Sequence, residues 1–315
     1  MYYSIRHVTR FRYSAPIYES MMEARMFPRS EDVQRSFSFE LVVQPRARVS
    51  FYRDSLGNTV HYFDIPENHR ELVITAEALV GLDPVEFPDR LDDSDWHFLT
   101  PEQIPSEAFE MLLPSHFARH GPLLDELATK IGAQRRADPL SLIKELNEAL
   151  YGAFEYKPTA TRVDSPIEDA LTAKQGVCQD FAHVFITILR GLTIPARYVS
   201  GYLYQRGDGT DRSREGATHA WVEAWLPGTG WIGFDPTNNL LASERHIRTA
   251  IGRDYADVPP TRGVFKGEAS SKLTVSVTVR PSDNLPAGHE LVPELVTEQT
   301  ITAPSGNRQH EQAQQ

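Results

Sequence analysis

The chain has 315 residues, room for two compact units, and its 40% hydrophobic and 24% charged content is that of an ordinary globular protein. Its 43 acidic against 32 basic side chains leave a formal charge of −11, which disfavours phosphate backbones and anionic lipid, so neither nucleic acid nor membrane is an expected partner. The opening residues carry no apolar secretory core and one cysteine permits no internal disulfide, which together predict a cytoplasmic location.

Residues 1–85 read as a small antiparallel β-domain. β-rich segments fall at Tyr2–Phe11, Ser36–Gln44, Arg48–Tyr52, Thr59–Ile65 and Glu71–Leu82, and Gly57 and Asn58 mark a hairpin turn. Residues 86–121, rich in Pro, Asp and Glu, read as a linker that wraps the surface. Leu140, Ile143, Leu146 and Leu150 recur at helical spacing and predict a helix over Pro139–Gly152. Ser165-Pro166-Ile167-Glu168 opens another, with Ser165 as cap and Glu168 closing a capping box. The next runs from Cys178 to Gly191, apolar on most sides and therefore buried. Strands are expected at Ala196–Gln205, His219–Leu226, Trp231–Phe234 and Lys272–Arg280, and a mobile tail over 281–315.

The chemistry concentrates at Gln175-Gly176-Val177-Cys178-Gln179-Asp180, which leads into the buried helix. A thiol attacks only as its thiolate, and the unsatisfied N–H groups of a helix N-terminus favour that anion. Gly176 allows a sharp entry that leaves the sulfur accessible. His219, 41 residues on, is a candidate base, and Asp235 a candidate acid to hold the imidazole tautomer. The hairpin imposes a condition. If Leu226 pairs with Trp231, Asp235 falls on the face away from His219; a shift of one residue brings the two to the same face. Cys178, His219 and Asp235 are also metal-type ligands, but no H-E-x-x-H or C-x-x-C accompanies them, so no metal or other cofactor is expected. A scaffold that keeps the fold without catalysis is the other alternative.

The segments Gln175–His183, Ile194–Tyr202, Thr218–Glu223, Gly233–Thr237 and Gly252–Pro260 together resemble the bacterial transglutaminase-like superfamily, and the opening β-region is similar to the N-terminal domain that accompanies this core in bacteria. The resemblance implies an α+β protein: an N-terminal antiparallel β-domain, then a papain-like core over 122–280 whose cysteine helix packs on an antiparallel sheet. It places Cys178, His219 and Asp235 at the triad positions. It implies a cysteine protease or amidase that cleaves peptide, isopeptide or protein amide bonds through a thioester, with transglutaminase-type transfer to an amine as the alternative. By the same resemblance Tyr156 is a candidate oxyanion-hole donor. Trp221, on the His219 face of its strand, and Asp180, beside the nucleophile, are candidates for the substrate cleft.

Overall fold

The computed structural model describes residues 1–282 except 159, 163 and 208, together with the backbone of 312 and 313; the tail expected over 281–315 therefore lies mostly outside the described residues. The first strand, β1 (Tyr2–Ala24), runs well past the expected Tyr2–Phe11 and organises the first module. Its first half pairs with β5 (His69–Leu82), which carries β2 (Gln34–Gln44) on its other side. Its second half pairs with β4 (Thr59–Ile65), followed outward by β3 (Ser50–Arg53). Between the halves the ladder breaks, around Pro16, which has no N–H to donate, and Glu19 at φ 47°. The strand bends there, and the two halves close on a core that includes Phe11, Ile17, Met22, Phe63, Leu72 and Phe265.

The second module begins with short helical turns, α1 (Ser106–Phe109) and α2 (Pro122–Lys130), then α3 (Pro139–Ala153). The segment 86–121 lies against this core through buried Leu99 and Ala118. β6 (Glu155–Tyr156) pairs in parallel with β7 (Gln175–Gly176), flanking α4 (Ile167–Ala173). Ser165 does not cap α4: its hydroxyl turns back to accept the Arg162 N–H, and Pro166 takes the cap position without a side-chain bond. The cysteine helix α5 (Cys178–Gly191) matches the sequence expectation.

Five antiparallel strands complete this module: β8 (Ala196–Leu203), β9 (His219–Leu226), β10 (Gly230–Asp235), β11 (Leu240–Leu241) and β12 (His246–Gly252), in the order β11-β10-β9-β8-β12. Phe181, Val184, Phe185 and Ile188 of α5 share one core with Ala220, Val222 and Ala224 of β9, so the helix lies on the middle of the sheet. Its buried C-terminal end is held by Arg190, whose guanidinium donates to the carbonyls of Met111, Leu113, Ala196 and Arg253. Four carbonyls from three chain segments are thus tied to one cation.

The chain then returns to the first module. β13 (Thr261–Lys266) and β14 (Ser271–Ser282) both pair with β1, so the strand read as Lys272–Arg280 belongs to the first sheet. The modules meet through a second apolar cluster, in which Tyr3, Ile5, Val80 and Val277 pack with Tyr202 and Ile247. Polar contacts add to it. The side-chain amide of Gln34 bonds the N–H and C=O of Arg248, and that of Asn58 bonds those of Ile251. Two side chains thus stand in for a further strand along the outer edge of β12. Among the described residues, no helix is long and apolar enough to cross a membrane.

Candidate functional site

Cys178 is the first residue of α5 and is partly exposed. The turn into the helix is held from inside. Asp180 is buried and accepts the Val177 N–H at 2.8 Å, and it also accepts the Thr161 hydroxyl. Gly176 makes room for it, because a Cβ there would stand 2.7 Å from the Asp180 carboxylate. The glycine serves close packing beneath the turn, not an unusual backbone angle. Asp180 is consequently a helix cap below the nucleophile and does not reach a cleft. Burial raises its carboxyl above the ordinary range, opposed by its two donors.

The β9–β10 hairpin sets the other two groups. Gly230 pairs with Leu226 and Trp231 with Trp225, one residue from the in-line alternative, around a Pro227-Gly228-Thr229 loop whose Gly228 is left-handed at φ 71°. This register puts Asp235 on the face of His219 and Trp221. His219 Nε2 lies 2.7 Å from Asp235 Oδ2, and both side chains are buried. Burial opposes charge on His219, but the adjacent carboxylate outweighs it, with a further contribution from the Cys178 thiol, and the imidazole is pushed up to about 10. Its Nδ1 is buried and makes no closed hydrogen bond, which leaves that nitrogen for Cys178. Opposite His219, Gly201 of β8 is needed for space: a Cβ would meet the Ile247 carbonyl at 2.0 Å.

Asp235 is fully buried and is solvated by the protein. Oδ1 accepts the N–H groups of Thr237 and Asn238, and Oδ2 accepts the Asn238 amide at 2.7 Å and His246 Nε2 at 3.2 Å besides His219. Burial alone would raise its carboxyl, but His219 and His246 hold it far below the usual carboxylate range. His246 has a fixed tautomer. Its Nδ1 accepts the Ser243 N–H, so the proton sits on Nε2 and points at Asp235. Burial keeps this second histidine lowered and neutral. His219, Asp235 and His246 place ligand-type atoms within 4.8 Å of one another. With the Asn238 amide and a proton-bearing His246 nitrogen already on Oδ2, the set is satisfied as donors around one anion rather than as lone pairs converging on a cation.

Tyr156 faces the thiol across the β6–β7 pair. Its hydroxyl accepts the Arg214 N–H at 3.0 Å, which leaves its own proton to give, and burial followed by the charge of Cys178 pushes it up to about 12. Trp221 is fully buried, stacked beside His219 at 6.1 Å and edge-on to His246 at 5.2 Å. It forms the floor under the histidines and presents no surface to a cleft. Sequence reasoning missed His246 and Asn238. It also passed over Tyr255, whose buried hydroxyl has no hydrogen-bond partner among the described residues and is raised by burial and by the charge of Cys178. Tyr255 lies in the Gly252–Pro260 segment already noted, so only its role was hidden. His183, one turn beyond Cys178, is buried, lowered to about 4 by burial, and accepts the Tyr255 N–H, a structural post rather than a second base.

Comparison with known proteins finds relatives over most of the chain. A model of the Transglutaminase-like superfamily matches residues 125–236, and one of the Bacterial transglutaminase-like N-terminal region matches residues 3–81. An uncharacterized protein of Mycobacterium tuberculosis is 35% identical over 294 residues, spanning 89% of this chain and 92% of its own. A protein-glutamine gamma-glutamyltransferase of Pseudomonas aeruginosa is 32% identical over 166 residues, 49% of this chain but 24% of that protein. Among solved structures, a cysteine-protease candidate from Cytophaga hutchinsonii superposes with a TM-score of 0.71 over 91% of this chain and 93% of that one, at 23% identity, and so shares the fold.

Proposed function

The chain belongs to the transglutaminase-like superfamily, and we propose that within it the protein is a cysteine hydrolase of amide, peptide or isopeptide bonds, working in the cytoplasm. The observation that carries this reading is the pairing of His219 Nε2 with Asp235 at 2.7 Å while Nδ1 is left for the thiol at the head of α5. An imidazole kept protonated beside Cys178, with the helix N-terminus behind it, stabilises the thiolate as an ion pair.

In this mechanism the Cys178 sulfur attacks the scissile carbonyl carbon. The carbonyl oxygen takes up negative charge against the Cys178 N–H, with the Tyr156 hydroxyl as a second donor. His219 gives its Nδ1 proton to the departing amine, leaving a thioester, then takes a proton from the water that cleaves it. Asp235 stays ionised throughout and holds Nε2.

Alkylation of Cys178 as a function of pH tests the reading directly, because no other cysteine contributes. Fast reaction with iodoacetamide at pH 6 that is lost in His219→Ala supports it. A slow reaction that His219→Ala leaves unchanged sinks it. Transfer of the acyl group to an amine is the second reading, favoured by the similarity to the Pseudomonas glutamyltransferase. It uses the same thioester, so the ratio of amine incorporation to hydrolysis on one substrate decides between them.

A further inference from the structure

Beside His219 lies a cavity of about 470 Å³. One part of its wall is the loop before β9, residues 213–217; another is residues 277–280 of β14, from the first module. Its polar lining is dominated by Arg214 and Arg280, neither of which makes an ion pair among the described residues, against the single carboxylate of Glu215. In a chain of net charge −11, two uncommitted guanidiniums next to a protonated imidazole form a local positive field.

The same wall offers main-chain groups. β14 pairs with β1 on one side, and no strand pairs with its other edge among the described residues. The Val277 N–H points away from β1, since it donates to the Gly216 carbonyl at 2.9 Å. In an antiparallel ladder this direction repeats at every second residue, so the N–H and C=O of Val279 also point outward, at the cavity. The loop that completes the wall is pinned to the reaction centre. Asn238, bonded to Asp235, accepts the N–H groups of Arg212 and Ser213, and Tyr156 accepts that of Arg214.

We propose that this cavity is a substrate subsite for an extended peptide bearing a carboxylate, with the peptide added as a strand at Val279 and its carboxylate paired by Arg214 and Arg280. The proposal rests on the hydrolase reading above. It gives the first module a task in catalysis: its last strand supplies both the edge and one of the two arginines, so the module selects what reaches Cys178.

The test compares two affinity labels that differ only in charge, N-iodoacetyl-Gly-Glu amide and N-iodoacetyl-Gly-Gln amide, on the full chain. The wild type is expected to alkylate about fivefold faster with the Glu label, the scale of one partly exposed ion pair. The double variant R214E/R280E is expected to reverse that preference, which poor folding cannot do because the ratio is internal to each sample. Val279→Pro removes only an outward N–H and is expected to slow both labels relative to iodoacetamide. A ratio near one in the wild type alongside fast iodoacetamide reaction overturns the subsite, as does an unchanged ratio in the double variant; equal label-to-iodoacetamide ratios in wild type and Val279→Pro overturn the strand pairing. Slow iodoacetamide reaction in the wild type overturns the hydrolase reading instead.

Discussion

The oxygen of Asp235 that holds His219 also accepts His246 Nε2, at 3.2 Å, and the Ser243 N–H on His246 Nδ1 fixes the direction of that bond. His246 is therefore a positioning residue. It cannot exchange donor for acceptor, so it holds the carboxylate oxygen in line with His219 without competing for the proton. In His246→Phe the oxygen loses one of three donors in a dry interior. The expected outcome is a loss of about 1–3 kcal/mol in urea unfolding, together with a change in the pH profile of Cys178 alkylation. His246→Gln, which restores an N–H, should recover much of the profile; a profile indifferent to both substitutions would make His246 a packing residue only.

The His219–Asp235 pair also predicts how stability follows pH. The folded value of His219, near 10, lies above the free value of 6.5, so its contribution is complete below 6.5 and is lost as pH rises through about 10. Asp235 is depressed below its free value of 3.8, so its contribution is present above that and lost as pH falls through the folded value. These are two sides of one interaction, greatest between about pH 4 and 6.5. Urea midpoints measured from pH 4 to 10 should decline on the alkaline side in the wild type and stay flatter there in His219→Gln. Parallel curves for the two proteins would remove the imidazolium from the folded state.

Local patterns made much of this site legible. The apolar stripe from Phe181 to Leu189 predicts α5 with its observed ends, and the order Cys178, His219, Asp235 predicts which side chains converge. The hairpin register was reducible to two options, and the observed one, with Gly228 and Gly230 both left-handed in its turn, is the one that serves the site. What stayed hidden depends on contacts distant in sequence. Nothing near His246 marks it as a partner of Asp235, because β12 reaches the site only by pairing with β8. β13 was not expected; within it Gly263 lets β1 approach, since a Cβ would stand 1.9 Å from the Met22 sulfur. Asp180 and Trp221 looked like cleft residues because spacing along one element shows neighbours but not depth.

Gly176 offers a test of the nucleophile's support that leaves the triad untouched. Adding one methyl in Gly176→Ala places it 2.7 Å from the Asp180 carboxylate, which must then give up its bond to Val177 N–H. A helix N-terminus without its cap loses about 0.5–2 kcal/mol. The expected outcome is a stability loss of that size and a disproportionate fall in Cys178 alkylation at pH 6, because the sulfur moves with the first turn. Alkylation that falls only in step with the folded fraction would show that the turn tolerates the displaced carboxylate.

Asn58 tests the polar seam between the modules. Its side chain is fully buried and does the work of a neighbouring strand: Nδ2 donates to the Ile251 carbonyl at 2.8 Å and Oδ1 accepts the Ile251 N–H at 2.8 Å. Arg29 also donates to Oδ1, at 2.7 Å, so the amide oxygen is shared between the β12 edge and a partly buried cation. Asn58→Ala leaves the Ile251 N–H and carbonyl without their partner, while Arg29 loses one bond and keeps Glu31 and the Leu56 carbonyl. At about 1–3 kcal/mol for each buried polar group left unsatisfied, the loss should reach about 2–5 kcal/mol. Asn58→Asp keeps the acceptor but removes the donor and adds a charge, so it should be costly as well, with part of its effect offset by Arg29. If the modules unfold together, both variants shift one cooperative urea transition. A separate early transition in Asn58→Ala, with Cys178 reactivity lost in that first step, would show that the β12 edge detaches before the core melts and that the seam holds the site closed.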